Sequence, residues 1–231
     1  MAGDVGDGKP LSSLEISGIL LAAGASRRLG SPKALLTTAS GQPLVATMAE
    51  HLLHGGCVRV CVVLGAEAQA VGNALAPLRS RFGDRLHTLK HEDWAEGMGS
   101  SLAAGVRLVA SADAEAGALL LATCDMPTVT SAHLKALAAA WRAAPSARVA
   151  SGWTSPEGQP VLGVPAVLPR ADWPALAALR GDEGARSLLR QPGTGIVSLA
   201  GGHLDLDTAA DVARWRASWE SAPPEPERPS P

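Results

Sequence analysis

A chain of 231 residues, 46% hydrophobic and 18% charged, carries enough apolar side chain for one core of ordinary single-domain size. Its formal charge of -2 lacks the basic footprint that long DNA or RNA requires, so no nucleic-acid partner is expected, although a few local cations can still hold a small anionic substrate. No apolar run approaches the roughly 18 to 20 residues of a membrane span, and no membrane partner is expected.

The opening stretch MAGDVGDGKP lacks the basic and apolar regions of a signal peptide, and the cysteines Cys57, Cys61 and Cys124 are odd in number. A cytoplasmic location with reduced thiols is the expectation. Residues 1–13 and 220–231 are rich in Gly, Ser, Pro and charge without an apolar period, so they are expected to be disordered tails around a domain spanning 14–219. Within that domain ISGILLA (16–22) predicts a buried strand and PLVATMAEHLLHGG (43–56) a helix stopped by Gly55 and Gly56. VRVCVVLG (58–65) predicts a second strand, EAQAVGNALAPL (67–78) a helix, and RLHTLKH (85–91) a weaker strand. GMGSSLAAGVRLVASA (97–112) follows as a helix, GALLLATCD (117–125) as a strand and TSAHLKALAAAWRAA (130–144) as a helix. Then come ARVASGW (147–153), VLGVPAVL (161–168), short helical stretches around PALAALR (174–180) and GARSLLR (184–190), the strand GIVSLAG (195–201) and the closing helix DTAADVARWRASW (207–219). Strands rich in Val, Leu and Ile that alternate with amphipathic helices predict a mostly parallel sheet covered on both faces.

Ligands of such folds gather outside the carboxyl ends of the strands. Polar clusters follow two predicted strands, at Gly24 and at Asp125, and can share one crevice. The first is LAAGASRRLGSPK, from Leu21 to Lys33. It is no dinucleotide fingerprint, because Ser26 stands where GxGxxG needs glycine, and no P-loop, because no GK[ST] follows. Ala22, Ala23 and Gly24 let backbone N–H groups approach a ligand, Arg28 can fork onto phosphate oxygens, and Lys33 can sit over a phosphate as a point charge. Lysine is scarce, four in the chain, which makes its placement here informative. The plain alternative is that Arg27, Arg28 and Lys33 form the solvated face of a turn.

This pattern resembles the signature of the nucleotidyltransferases that attach a nucleotide to molybdopterin, especially the molybdenum cofactor cytidylyltransferases. WAEGMGSSLAAGV (94–106), LATCDMPTV (121–129), GQPVLG (158–163), GDEGARSLLR (181–190) and DLDTAADV (205–212) match in order, so the resemblance covers about 14–216. It implies a three-layer α/β/α, Rossmann-like fold of nucleotide-diphospho-sugar transferase type. The implied reaction is Mg²⁺-dependent transfer of CMP from CTP to the phosphate of molybdenum-loaded molybdopterin, with release of pyrophosphate and a recipient apo-molybdoenzyme as a further partner. Related transfer from GTP, transfer to another phosphorylated acceptor, and a non-catalytic carrier of the finished cofactor are the competing readings.

The resemblance makes Arg28, Lys33 and Asp125 catalytic, and Leu21, Ala22, Ala23, Gly24, Ser26, Glu96, Gly97 and Ser101 nucleotide-binding. It makes Asp125 the main metal ligand with Asp207 and Asp205 beside it, and brings Gln159 and Arg186 to the acceptor. Cytidine-using members tend to carry LAAG where guanine-using members carry LAGG, which singles out Ala23. Simpler readings stand beside these. Asp125 could cap the next helix, although Thr130 or Ser131 is better placed, and Asp207 or Thr208 could cap the last one. Ser100 and Ser101 could cap theirs, and Asp182 is expected to cap the helix that follows it. Gln159 departs from the His or Asn more usual in the family before the proline. His51 and His54, without a third ligand, are expected at the surface, Cys57 and Cys61 as small core residues on one strand face, and Cys124 as buried. HEDWAE lacks the second His of a zinc protease motif, and the tryptophans are too scattered for a single-strand stacking platform.

Overall fold

The computed structural model describes residues 14–202 and 204–220. The expected tails lie outside these residues, save Glu220, which ends the last helix. The chain runs β1 (Ile16–Ala22), α1 (Leu44–His54), β2 (Arg59–Leu64), α2 (Ala68–Ala74), α3 (Ala76–Phe82), β3 (Leu86–Lys90), α4 (Met98–Ala112) and β4 (Ala118–Thr123). It continues through α5 (Ser131–Ala143), β5 (Val149–Thr154), β6 (Pro160–Pro169), α6 (Trp173–Ala177), α7 (Arg186–Leu189), β7 (Gly195–Ser198) and α8 (Ala209–Glu220). The strands form one seven-stranded sheet in the order β3-β2-β1-β4-β6-β5-β7. Only β6 runs against its neighbours β4 and β5, and the other pairings are parallel.

Side-chain alternation divides the core into two layers. Along β1, Ile16, Leu20 and Ala22 enter one cluster while Ile19 and Leu21 enter the other. The neighbouring strands do the same, Val60, Val62 and Leu64 against Cys61 and Val63, and Leu120 and Ala122 against Leu119 and Leu121. Helices α1, α5 and α8 cover the first face, with Leu52, Leu134 and Trp215 buried there, and α4, α6 and α7 the second, with Leu102, Leu176 and Leu189. Such two-sided cover explains why β1 is buried at all seven positions and reads as a nearly continuous apolar run.

Three expectations change. The helix foreseen over 67–78 is two, α2 and α3, because Pro77 in the first turn of α3 offers no N–H and clashes with a continuing helix behind it. Cys57 and Cys61 do not share a face: Cys57 precedes β2 and packs in the first layer, while Cys61 lies within the strand and points into the second. His51 is half-buried, its Nδ1 3.0 Å from the Val129 carbonyl, and burial lowers its pKa.

All three thiols are free and buried, and burial pushes each up to about 12. An unfolded thiol ionises near pH 9 and a folded one only near 12, so this contribution is intact below pH 9 and is lost as pH rises towards 12. Urea midpoints should fall between pH 8 and pH 10, and fall less steeply in Cys61→Ala. An identical pH slope in the variant would contradict the assignment.

Candidate active site

Because β1 and β4 are adjacent and parallel, the segments leaving them emerge at the same sheet edge, where the Cys124 N–H donates to the Leu21 carbonyl at 3.3 Å. A cleft of about 480 Å³ opens there, within the range of small-ligand pockets. Its walls are the loop after β1, the stretch from Trp94 to Ser101, the end of β4 with Asp125, and the single residues Asp182 and Asp207.

The loop is shaped by Ser26, the one non-glycine residue with positive φ (+49°) among those described. Its carbonyl accepts from the N–H groups of Leu29 and Gly30, and its hydroxyl accepts from the Lys33 N–H at 3.0 Å. Three such bonds hold this uncommon backbone in place. Beside it, a Cβ on Gly24 would meet nothing within 4 Å, so this position leaves backbone bare to the cleft.

These bonds aim Lys33 inward. Its side chain, 16% exposed, lies between Asp125, at 3.3 Å, and Asp207, which it contacts directly. Burial alone would lower the pKa of its ammonium, but the hydrogen bond with Asp207 and the charges of Asp125 and Asp207 outweigh that and raise it. Arg28, 76% exposed, reaches Asp207 at 3.2 Å from above.

The carboxylates are free for this because neighbouring threonines do the capping. Thr130 caps α5 by accepting from the His133 N–H. Thr208 and Asp211 exchange bonds at the start of α8, the Thr208 N–H donating to Asp211 and the Asp211 N–H to Thr208. The Leu206 N–H donates to the Asp125 carbonyl at 3.0 Å, which docks the 204–207 segment beside the end of β4. Asp205 lies on that segment outside the cleft wall. Desolvation, then the charges of Asp125 and Asp207, raise its pKa to about 6, with Lys33 and Arg186 pulling the other way.

The cleft thus collects Leu21, Ala22, Ala23, Gly24, Ser26, Arg28, Lys33, Gly97, Ser101, Asp125 and Asp207 of the residues foreseen from sequence. Glu96 is exposed and off the wall: one turn of 3₁₀ helix presents Trp94 and Ala95 to the cleft and turns Glu96 to solvent. Gln159 sits in the β5–β6 turn, where its carbonyl accepts from the Ser155 N–H, and Arg186 opens α7 near Asp205; neither lines the cleft. Ser100 and Ser101 both donate to the Gly97 carbonyl, and Gly97 itself occupies the cap position of α4. Asp182 is no helix cap, since Ala185 holds that position of α7 without a side-chain bond, and it lines the cleft instead. Sequence reasoning missed it, together with Trp94 and Met98. The available signal was an acid between small residues in GDEGA, the same kind of turn that drew attention to Gly24.

The family model described as "MobA-like NTP transferase domain" matches residues 18–196. The nicotine blue oxidoreductase of Paenarthrobacter nicotinovorans is 39% identical over 185 residues, covering 76% of this chain and 82% of that protein. A probable molybdenum cofactor guanylyltransferase of Rhodopirellula baltica is 32% identical over 149 residues, 64% of this chain and 66% of that protein. The crystal structure of Rv0371c from Mycobacterium tuberculosis H37Rv superposes with a TM-score of 0.71 at 29% identity, covering 87% and 96% of the two chains, and that protein has also been solved in complex with manganese. Further structural neighbours share the nucleotide-diphospho-sugar transferase fold. With residues 18–196 matched, the chain belongs to the MobA-like NTP transferase family and is a nucleotidyltransferase.

Proposed function

We propose that this protein transfers CMP from CTP to the phosphate of molybdenum-loaded molybdopterin, releasing pyrophosphate and forming a cytosine dinucleotide cofactor for a recipient apo-molybdoenzyme. The observation that carries the reading is Lys33, held between Asp125 and Asp207 at the mouth of a loop that leaves its backbone bare at Gly24. An acceptor phosphate oxygen attacks the α-phosphorus of CTP, the bond from that phosphorus to the bridging oxygen breaks, and pyrophosphate leaves with the electron pair. The chain forms no covalent bond. The loop N–H groups and Arg28 orient the triphosphate, and Lys33 offsets charge that grows on the departing oxygens.

A divalent cation fits the donor set. Two carboxylates already converge on one ammonium, so the position holds positive charge. Asp125 and Asp207 would hold Mg²⁺, with phosphate oxygens and water completing the shell, and the ion would polarise the α-phosphate.

Support for cytosine comes from Ala23. It is buried, and a Cβ on Gly65 would fall 2.8 Å from its methyl and 2.7 Å from Cβ of Trp94, so Gly65 packs closely against both. The Ala23 methyl and Trp94 both line the cleft on either side of Gly65 and narrow it, a constraint that a pyrimidine meets more easily than a purine. Wild-type protein should prefer CTP over GTP by at least about tenfold in kcat/KM, and Ala23→Gly should shrink that ratio without reversing it. Competition between the two nucleotides with one acceptor checks this, and a wild-type preference for GTP would sink the cytidylyl assignment.

One observation favours a second reading: a relative 39% identical is named an oxidoreductase acting on nicotine blue. The two part on product. Nucleotidyl transfer consumes a nucleoside triphosphate and releases pyrophosphate, whereas reduction of nicotine blue consumes an electron donor and releases none.

A further inference from the structure

The segment 180–183 is seated backbone on backbone against the start of α4. The Gly99 N–H donates to the Gly181 carbonyl at 2.7 Å, so a free N–H of this uncapped helix end is satisfied from outside the helix. Side chains have no room at the contact. A Cβ on Gly97 would lie 2.3 Å from the Gly181 carbonyl, and one on Gly99 would lie 2.6 Å from the Glu183 oxygen and 2.7 Å from that of Arg180. The docking brings Asp182 to the cleft wall, its Oδ1 2.7 Å from the position a Gly97 Cβ would take.

Charge then orders the cleft. Arg28 and Lys33, with Asp125 and Asp207, mark the phosphate end. A further carboxylate facing the triphosphate would repel it, so Asp182, packed on Gly97 at the start of α4, belongs to the nucleoside end. An ionised carboxylate accepts hydrogen bonds and donates none. The Ser101 hydroxyl donates to the Gly97 carbonyl at 3.4 Å, which leaves it an acceptor on the cleft wall. A wall of acceptors suits an amino group and opposes a carbonyl.

We propose that Asp182 is a specificity-determining residue that accepts a hydrogen bond from the exocyclic amino group of the nucleotide base, so that the cleft takes CTP and rejects UTP. The proposal rests on the nucleotidyl-transfer reading of the same cleft. It concerns cytosine against uracil and leaves discrimination against guanine to Ala23 and Trp94.

The test measures kcat/KM for CTP and UTP, and the affinity of both by calorimetry, for wild-type protein, Asp182→Asn and Glu183→Gln. A carboxamide can donate to the uracil carbonyl. Asp182→Asn should therefore lower the CTP-to-UTP ratio by at least about tenfold and raise the use of UTP itself, while Glu183→Gln, one residue away and off the cleft wall, keeps the wild-type ratio. An unchanged ratio in Asp182→Asn overturns the proposal. So does an altered discrimination between CTP and its 2′-deoxy analogue with the UTP ratio intact, which would place the carboxylate on the ribose. Wild-type protein that binds no nucleotide overturns the nucleotidyl-transfer reading and this proposal with it.

Discussion

Lys33→Ala is expected to lower turnover by about 10² to 10³, the usual cost of losing a preorganised charge contact at a transition state. The side chain is ordered before any ligand arrives: the Ser26 hydroxyl fixes its backbone, and Asp125 and Asp207 hold its ammonium. A solvated lysine of the same loop would be worth almost nothing. Lys33→Arg keeps the charge but exchanges a point for a fork, so it should recover part of the rate. Arg28→Ala, which removes an exposed partner of Asp207, should cost less than Lys33→Ala. Pyrophosphate release checks all three. Near-normal rates in both alanine variants would return the loop to an ordinary surface turn.

Asp125→Asn keeps the shape of the side chain and removes its charge. Activity should fall by at least about 10² with folding intact, because Thr130 and not Asp125 caps α5. Asp207→Asn should be milder and show as a raised Mg²⁺ requirement, since Asp125 follows directly on the buried strand β4 while Asp207 sits on an irregular segment docked by one backbone bond. The wild-type rate for Asp125→Asn at limiting Mg²⁺ would show that the carboxylate has no part in metal binding.

How much of this was legible in the sequence depends on the range of the forces involved. Strand and helix order was legible because apolar period is a local property: β1 is an unbroken apolar run, and α1 stops where Gly55 and Gly56 follow. The break at Pro77 was missed: a proline there cannot extend a helix, but the apolar spacing on either side masked it. The meeting of the Gly24 and Asp125 clusters followed from the general rule that parallel strands deliver their loops to one edge.

What sequence could not supply was long-range docking. The seat of 180–183 on Gly97 and Gly99 depends on backbone groups more than eighty residues apart, and no period or cap announces it. Asp182 was therefore assigned to a helix it does not touch. Glu96 lies off the cleft wall for the opposite reason. Its neighbours Trp94, Ala95 and Gly97 line the cleft, but a single 3₁₀ turn decides which consecutive side chains face it, and spacing alone does not fix that phase.

The most direct measurement is mass analysis of the product formed by purified protein from molybdenum-loaded molybdopterin and Mg²⁺, with each of the four nucleoside triphosphates in turn. The account predicts an adduct one CMP heavier than the acceptor, formed with CTP and accompanied by one pyrophosphate per adduct. A GMP adduct in preference, or no nucleotide adduct with any triphosphate, would contradict it.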